Sequence, residues 1–423
     1  MSLNVVRSMF LAAALSAAAS LFNTVHGQDL VELPAADKSL ELASSELYSV
    51  GSFDGEDWEL FGNRVIVAFG PDERLFVLDA EGHRVLILDS AGELVSMFGR
   101  EGSGPGELQS PTAIAVTGDS LVVIVDMAKR GLSVFGLDGT FVRFVGTDDQ
   151  FASGVAGGGS GSVVTEYSMK MQTGQDGQVS VDNTPQLERQ AVGGAAGVSA
   201  IYQQTVPEVA ESGTREVSGG GMRMSFGGQR EEFAPALNWA VLGPSRIAIA
   251  DEAGYLIKIL ERGSGISRHL VRPIEPAAVS EIDQEEVKRR RRAALEGTGS
   301  GGSGGVTIMF QRGGGGGGSR RMSVPQEMID QMVDQMTFAD VRPVISGLTA
   351  DRSGRMWVRR DGTEIGEPGP VDLVSAAGEY LGTLDAEVVV PDAFGPGGMA
   401  AFVEKDELDV VRVVVRRLSV PGS

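Results

Sequence analysis

Short runs of Val, Ile, Leu and Phe alternate along most of the chain with turns that contain Gly and Asp. This pattern predicts short β-strands joined by tight turns, without a helical period between them. One set of runs returns 47 residues later, as Leu75–Asp79, Val85–Asp89 and Gly92–Phe98 followed by Val122–Asp126, Leu132–Phe135 and Gly139–Val145. Equal spacing over three elements indicates an internal repeat.

Three looser copies of the repeat lie further along the chain: Ile247–Asp251 with Tyr255–Leu260; Met356–Arg359 with Val371–Val374 and Gly378–Leu381; and Met399–Val403 with Val410–Leu418. One more apolar run precedes each of four copies, namely Val65–Phe69, Ala113–Val116, Trp239–Leu242 and Ile345–Ala350. Each repeat is therefore expected to form four antiparallel strands.

A single four-stranded sheet cannot bury both of its faces, so repeats of about 40 to 50 residues predict sheets packed in a ring. The predicted fold is all-β, a six-bladed β-propeller of four-stranded antiparallel blades. The blades are expected at residues 64–99, 111–146, 150–232, 236–271, 344–384 and 388–418, the third being degenerate. The run Leu40–Val50 is expected to pair with the Val410–Leu418 run, which would close the ring.

Several stretches near the first repeat carry a resemblance to a known family: Asp79–Val85, Leu88–Gly92, Phe98–Glu107, and Pro111 with Ile114–Val116. Together they resemble an NHL-type repeat, and the chain is similar to the six-bladed propellers of exported bacterial proteins in the NHL/TolB-like group. The resemblance is strong over residues 60–146, fair over 237–272 and 344–418, and poor over 147–236. It implies the architecture and a general role in binding a protein or a small ligand. It carries over no catalytic residue, because the family has no single activity.

Charge and composition narrow the range of partners. The 423 residues carry a formal net charge of −21, which disfavours nucleic acid and anionic membrane surfaces as partners. Because the chain contains no cysteine, disulfides, thiolate nucleophiles and Cys-ligated metal sites are excluded.

The N-terminal segment has the layout of a secretory signal peptide. Arg7 precedes the apolar run Met9–Phe22, and Val25–Gly27 places small or permissive residues before Gln28. The run is shorter than the roughly 20 residues of a membrane span, although an uncleaved anchor is the alternative. We therefore expect a signal peptide at 1–27, a single propeller domain at 28–423, and a secreted or periplasmic protein without a membrane span after cleavage.

An insertion of two helices is predicted at 273–343, between blades 4 and 5. Ser280 and Asp283 resemble a capping box, and acidic residues after them precede the basic run Lys288–Arg292, which we expect to be a solvated helix face. A second helix is expected at Pro325–Met336, and the Gly-rich residues 297–321 between the two should form a linker. The methionines of the second helix favour packing onto the propeller, with binding of a flexible partner as the alternative.

No catalytic, cofactor-binding or metal-ligating residue is assigned from the sequence. The glycine-rich stretch Gly102–Gly106 lacks the Lys and Ser/Thr of a phosphate loop, so an interblade turn is expected. The aspartates that end equivalent strands, Asp79, Asp126 and Asp251, should accept hydrogen bonds from turn amides. Calcium is kept as an alternative for these aspartates at the ring axis and for the acidic cluster Asp54–Asp57.

Other residue types that often carry chemistry favour packing roles here. After signal removal only His83 and His269 remain, too few histidines for a metal centre of His ligands. Four aromatic residues could stack on a sugar or a peptide, although packing between sheets is the preferred interpretation: Trp239, Trp357, Tyr255 and Tyr380.

The preferred functional hypothesis is an exported binding scaffold, expected to be a monomer, that binds a protein, peptide or glycan through loops at one end of the ring. Catalysis and a cofactor are not expected. Two alternatives stay open: a calcium-dependent propeller hydrolase of the lactonase or esterase kind, and a structural protein of the cell envelope.

Overall fold

The computed structural model describes residues 29–147, 150–173, 179–194, 197–205, 215–219, 222–226, 230–297 and 326–420. The predicted signal peptide, most of the Gly-rich linker and the start of the second predicted helix lie outside the described residues. No helix in the described part of the chain is long and apolar enough to cross a membrane.

The described chain is built almost wholly from strands. Those of the N-terminal segment and the first three blades are β1 (Asp29–Glu32), β2 (Ala43–Val50), β3 (Val65–Phe69), β4 (Leu75–Asp79), β5 (Arg84–Leu88), β6 (Leu94–Phe98), β7 (Pro111–Val116), β8 (Leu121–Asp126), β9 (Gly131–Gly136), β10 (Phe141–Gly146), β11 (Gln150–Gly157), β12 (Ser162–Thr173), β13 (Val179–Asp182), β14 (Gln186–Ala191), β15 (Val198–Gln203), β16 (Arg215–Gly219) and β17 (Met222–Phe226). The remaining elements are β18 (Asn238–Val241), β19 (Arg246–Ala250), β20 (Leu256–Glu261), β21 (Gly265–Val271), the helices α1 (Glu281–Gly297) and α2 (Gln326–Asp334), β22 (Ile345–Ala350), β23 (Met356–Asp361), β24 (Pro368–Val374), β25 (Tyr380–Leu384), β26 (Ala393–Phe394), β27 (Met399–Lys405) and β28 (Val411–Ser419).

These strands form six sheets, and the predicted six-bladed propeller is confirmed. Blades 1, 2 and 5 are antiparallel sheets of four consecutive strands, β3–β6, β7–β10 and β22–β25. Blade 6 consists of β26, β27 and β28 with β2 as its fourth strand, in antiparallel register from Ala43 opposite Ser419 to Val50 opposite Val413. The predicted closure of the ring by the N-terminal run is therefore also confirmed.

Two blades differ from the four-stranded prediction. Blade 3 is the four strands β11, β12, β14 and β15 extended by β13, β16 and β17, because the twelve-residue strand β12 runs past β14 and pairs its end with β13. Blade 4 gains a fifth strand, since β1 adds in parallel to its outer strand β21.

The core is divided among the spaces between blades. In β4, Leu75 and Val77 pack against blade 6, whereas the alternate residues Phe76 and Leu78 pack against blade 2. Successive side chains of a strand point to opposite faces, so a strand buried on both faces is apolar at nearly every position. This explains the uninterrupted apolar runs of the repeat.

Turns repeat as faithfully as strands in the first two blades. Glu73 and Ser120 have positive φ at equivalent positions, and so do His83 and Arg130. Such conformations are rare for residues other than Gly, so their recurrence shows that the two blades share turn geometry as well as strand register.

Candidate functional site

The loops of the ring fall on two faces because consecutive strands in a blade alternate in direction. One face carries the turns between second and third strands together with the connections between blades, and we call it the upper face. The aspartates that end the second strands lie there. Asp79 accepts hydrogen bonds from the amides of Gly62 and Gly82, at 3.2 and 3.0 Å.

Asp126 holds the equivalent turn of blade 2. Its carboxylate accepts the amides of Gln109, Ser110 and Lys129 at 2.8, 3.0 and 3.2 Å. The predicted role of Asp79 and Asp126 as acceptors for turn amides is therefore confirmed. Each carboxylate ties the connection entering its blade to the turn inside the blade.

Asp251 in blade 4 differs, because its partners are side chains. Its carboxylate accepts hydrogen bonds from the Lys258 ammonium at 2.8 Å and from the Tyr202 hydroxyl of blade 3 at 2.7 Å. Burial acts to lower the pKa of Lys258, but hydrogen bonds to Asp251, Glu252 and Tyr202 outweigh it and hold the pKa well above its usual range. The cluster therefore keeps a charged lysine between blades 3 and 4, where it joins two sheets.

The interblade stretch Gly102–Gly106 is confirmed as a turn. Glu107 accepts the Gly104 amide at 2.8 Å, and the Lys129 ammonium donates to the carbonyls of Gly104 and Glu107 at 3.1 and 2.9 Å. Beside this turn lies an open groove of about 550 Å³, which is lined in part by Phe141 and Phe144 of the outer strand of blade 2.

The helical insertion rises from the upper face between blades 4 and 5. Ser280 caps α1 as predicted: its hydroxyl accepts the Asp283 amide at 3.2 Å, and the Asp283 carboxylate accepts the Ser280 amide at 2.8 Å. At the base of the insertion, the Arg342 amide donates to the Ala277 carbonyl at 2.8 Å. The segments that lead into and out of the insertion are thus hydrogen-bonded to each other where they leave the ring.

Among the described residues, the apolar side of α2 packs against α1 in a cluster separate from those of the blades, whereas the preferred interpretation placed its methionines on the propeller. Ile329 and Val333 are buried with Leu295 of α1 in a cluster of their own, and Met332 and Met336 lie at its border. Leu295 of α1 and the apolar residues of α2 cover each other, which removes apolar surface of both helices from water.

The insertion also contacts the connection between blades 3 and 4. The Glu232 amide donates to the Thr337 carbonyl at 2.8 Å, and the Ala339 amide donates to the Glu232 carbonyl at 3.0 Å. The rings of Phe233 and Phe338 lie 6.3 Å apart. On its other side, Arg290 of α1 donates to the Ile365 carbonyl of blade 5 at 2.8 Å. The insertion is therefore held from two directions.

A cleft of about 220 Å³ opens where the insertion meets this connection. It is lined by Arg230, Glu232, Arg291, Met332, Met336 and Thr337. Two guanidinium groups and one carboxylate thus share a small space with two flexible, polarizable thioethers. Such a combination suits a ligand with both an apolar and a polar part.

The sequence indicates this site only through the methionines of α2, for which binding of a flexible partner is the alternative interpretation, and it places the basic run of α1 on a solvated face. Arg230 and Glu232 follow a stretch without a clear pattern. Their contribution depends on a pairing with Thr337, about a hundred residues away in the chain, for which no local signal exists.

The remaining predicted candidates are dispersed. His83 lies in a turn of blade 1 and His269 in the outer strand of blade 4. The acidic cluster Asp54–Asp57 leads into a short turn of 3₁₀ helix, Asp57–Glu59. Across the described ranges, no group of three or more His, Asp or Glu side chains is placed to hold a metal ion. The calcium alternative thus gains no support from these residues.

The aromatic candidates are mainly core residues. Trp357 and Tyr255 are buried between blades, as preferred from the sequence. Trp239 donates its indole N–H to Glu166 at 2.7 Å, and the Tyr380 hydroxyl lies 2.6 Å from the Thr383 hydroxyl. Each therefore contacts protein groups within the ring.

Fold and site together define a six-bladed β-propeller with a helical insertion and a cleft on its upper face. Residues 64–160, less than half of the chain, match the family model DUF5128, described as a 6-bladed beta-propeller. The chain is also 31% identical over 130 residues to the E3 ubiquitin-protein ligase NHLRC1 of Rattus norvegicus, covering 30% of this chain and 32% of that one. The resemblance to NHL-repeat propellers is confirmed, although the chain spans only about a third of the length of the curated relatives that it matches.

Solved structures resemble the chain over most of its length at low identity. A Bacteroides fragilis protein described as exported is 12% identical with a TM-score of 0.43, covering 92% of this chain and 99% of that one. The calcium-binding protein regucalcin of Agrobacterium tumefaciens is 11% identical with a TM-score of 0.38, covering 92% and 96%. A gluconolactonase of Xanthomonas campestris is 10% identical with a TM-score of 0.37, covering 90% of each chain. These likenesses carry no inference about ligand or activity.

Proposed function

We propose that the protein is an exported binding scaffold that takes a peptide segment of a partner protein into the cleft between α1, α2 and the connection of blades 3 and 4. The observation that carries the proposal is the cleft itself, with Met332 and Met336 beside Arg230 and Arg291. Peptides present apolar and polar groups side by side, and methionine surfaces adapt to different side chains. A rigid ring beneath the insertion would hold the cleft in place.

Export is the second part of the proposal and rests on the N-terminal sequence. Cleavage after Gly27 would leave Gln28 at the N-terminus of the mature chain, which we take to be a single domain, one residue before β1, the first described strand. When the full-length gene is expressed with an export pathway, we expect the secreted or periplasmic protein to have the mass of residues 28–423. A product that retains residues 1–27 in the cytoplasm would refute export.

The binding proposal predicts peptides whose binding depends on the cleft. A random decapeptide display library would be selected against residues 28–423, and the affinities of the enriched peptides would be measured by fluorescence anisotropy. Thr337 is exposed, so Thr337→Trp should fill part of the cleft without disturbing the core. We expect this substitution, and likewise Met336→Glu, to weaken binding at least about tenfold, a loss of about 1.4 kcal/mol.

Met97→Glu is the matched control, since Met97 is an exposed methionine on the outer strand of blade 1 and far from the insertion in the fold. It should leave affinity unchanged. Thermal midpoints within about 2 °C of the parent would show that each variant is folded. Enriched peptides that bind Thr337→Trp and Met336→Glu as tightly as the parent would disprove the cleft as the binding site.

A further inference from the structure

The basic run of α1 is neutralised at every position except one. Lys288 pairs with Glu285 at 3.2 Å, while Arg289 and Arg290 both pair with Glu286, at 2.7 and 2.6 Å. Arg292 pairs with Asp330 of α2. Among the described residues, Arg291 alone of these five cations has no carboxylate partner, and Arg291 is the one that lines the cleft.

The second cation of the cleft also lacks an anionic partner among the described residues. Arg230 donates to the Gln204 side chain at 3.3 Å and to the Pro235 carbonyl, both of which are neutral. Desolvation lowers the pKa of Arg230, which is the effect expected when a cation is partly withdrawn from water without a counter-charge. An anion in the cleft would supply that missing charge.

Glu232 does not cancel these two charges. It lines the cleft, but none of the ion pairs in the described part of the chain includes its carboxylate. Two guanidinium groups against one carboxylate leave the cleft with a positive balance, on a chain whose total charge is −21. The cleft is therefore positively charged on a protein whose net charge is negative. An anionic ligand would be attracted to the cleft and repelled by most of the remaining surface.

The apolar side of the cleft limits what kind of anion fits. Met332 and Met336 are half-buried and border the cluster between the helices. Thioethers bind apolar groups well and gain nothing from a fully hydrated inorganic ion. The ligand chemistry that matches both sides is a carboxylate next to a bulky apolar side chain.

We propose that the cleft recognises an acidic peptide segment, in which an Asp or Glu carboxylate bridges Arg291 and Arg230 and a neighbouring large apolar side chain lies on Met332 and Met336. This inference rests on the proposed function, because it names the ligand chemistry of the same cleft. The sequence between the two helices does not offer this anion, because residues 298–325 contain Arg312, Arg320 and Arg321 but no Asp or Glu.

The test uses the peptides that the display selection enriches, each paired with a synthetic version in which Asp and Glu are replaced by Asn and Gln. We expect the amide versions to bind residues 28–423 at least about tenfold more weakly, because hydrogen bonds between two charged partners are stronger than those to a neutral amide. Arg291→Gln should weaken the acidic peptides by a similar factor and leave the amide versions unaffected. Raising the salt concentration should weaken only the acidic peptides.

Arg289→Gln provides the matched control on the same helix, because Arg289 is exposed and already paired with Glu286. It should leave affinity within about twofold. Peptides that depend on Thr337 and Met336 but bind equally well as amides, or equally well to Arg291→Gln, would overturn the acidic specificity and leave the binding function standing. Peptides whose affinity is unchanged by every substitution in the cleft would overturn both the acidic specificity and the proposed binding function.

Discussion

Deletion of residues 28–50 is expected to abolish the folded ring. The deletion removes the N-terminal belt, defined as residues 29–50, which crosses the outer edges of three blades. β1 pairs with β21 of blade 4, Ser39 forms a bridge with Thr383 of blade 5, and β2 supplies the fourth strand of blade 6. Without β2, the edge of β28 would be open and the core between blades 6 and 1 would lose Val50.

The expected loss exceeds what the fold can tolerate. Domains have a total free energy of unfolding of about 5–15 kcal/mol, and removing a complete strand with its ladder and buried side chains should cost more than about 5 kcal/mol. Size-exclusion chromatography and calorimetry should show aggregated or non-cooperatively unfolding protein. Supplying residues 28–50 as a separate chain during expression should restore a monomeric, cooperative protein.

A shorter deletion is the informative control. Removal of residues 28–38 eliminates β1 but leaves β2, so blade 4 returns to four strands and the ring stays closed. We expect this variant to fold, with a lower thermal midpoint than the parent. If the chain lacking 28–50 unfolded cooperatively at the midpoint of the parent, the belt would have no part in closing the ring.

The repeat could be predicted from sequence because its determinants are local. Strand runs that are apolar at each position, and turns with the same positive-φ positions, recur 47 residues apart in blades 1 and 2. Each run therefore specifies its own strand, its neighbours and its turn without help from distant parts of the chain. The closing strand β2 was predictable for a similar reason, since only an outer strand was missing from blade 6.

Blade 3 and β1 show where local pattern is insufficient. The strand β13 pairs in parallel with β17 more than forty residues later, and both lie in a stretch rich in Gly and polar residues. The four residues of β1 carry only a weak strand signal. They are held by tertiary contacts instead, such as the hydrogen bond of 2.7 Å from the Leu33 amide to the Val271 carbonyl, with Leu33 buried in the core of blades 4 and 5.

The polar cluster beneath the belt is also beyond local prediction. Arg272 has a fully buried side chain that donates to Asp372, also fully buried, at 2.8 Å and to Asp37 at 2.6 Å. It donates further to the Pro34 carbonyl at 2.7 Å and stacks over the ring of Tyr380 at 4.5 Å. Residues so far apart in sequence meet only once blades 4 and 5 and the belt are assembled, and each charge is balanced only in that assembly.

Replacing Arg272 by Met should therefore destabilise the protein strongly. The substitution keeps an apolar stem of similar length but leaves Asp372 buried, with Arg360 at 3.7 Å as its remaining cationic neighbour. Breaking a buried ion pair by removing one partner typically costs about 3–5 kcal/mol. Chemical denaturation should show a loss of this size, whereas Arg100→Met, at an arginine with 79% of its side chain exposed, should have little effect.

The free energy of unfolding measured as a function of pH, on the acid side of neutrality (the acid limb), gives a second test of the same variant. Partial burial acts to raise the pKa of Asp37, but hydrogen bonds from Arg360 and Arg272 outweigh it and lower the pKa below the ordinary value of 3.8. A carboxyl with a depressed folded-state pKa stabilises the fold above its unfolded pKa, and that contribution is lost as the pH falls through the folded pKa. In Arg272→Met the pKa of Asp37 should move back toward 3.8, so stability should fall less steeply with acid below about pH 4 than in the parent. An unchanged free energy of unfolding at neutral pH together with an unchanged acid limb would show that Arg272 does not tie the belt to the ring.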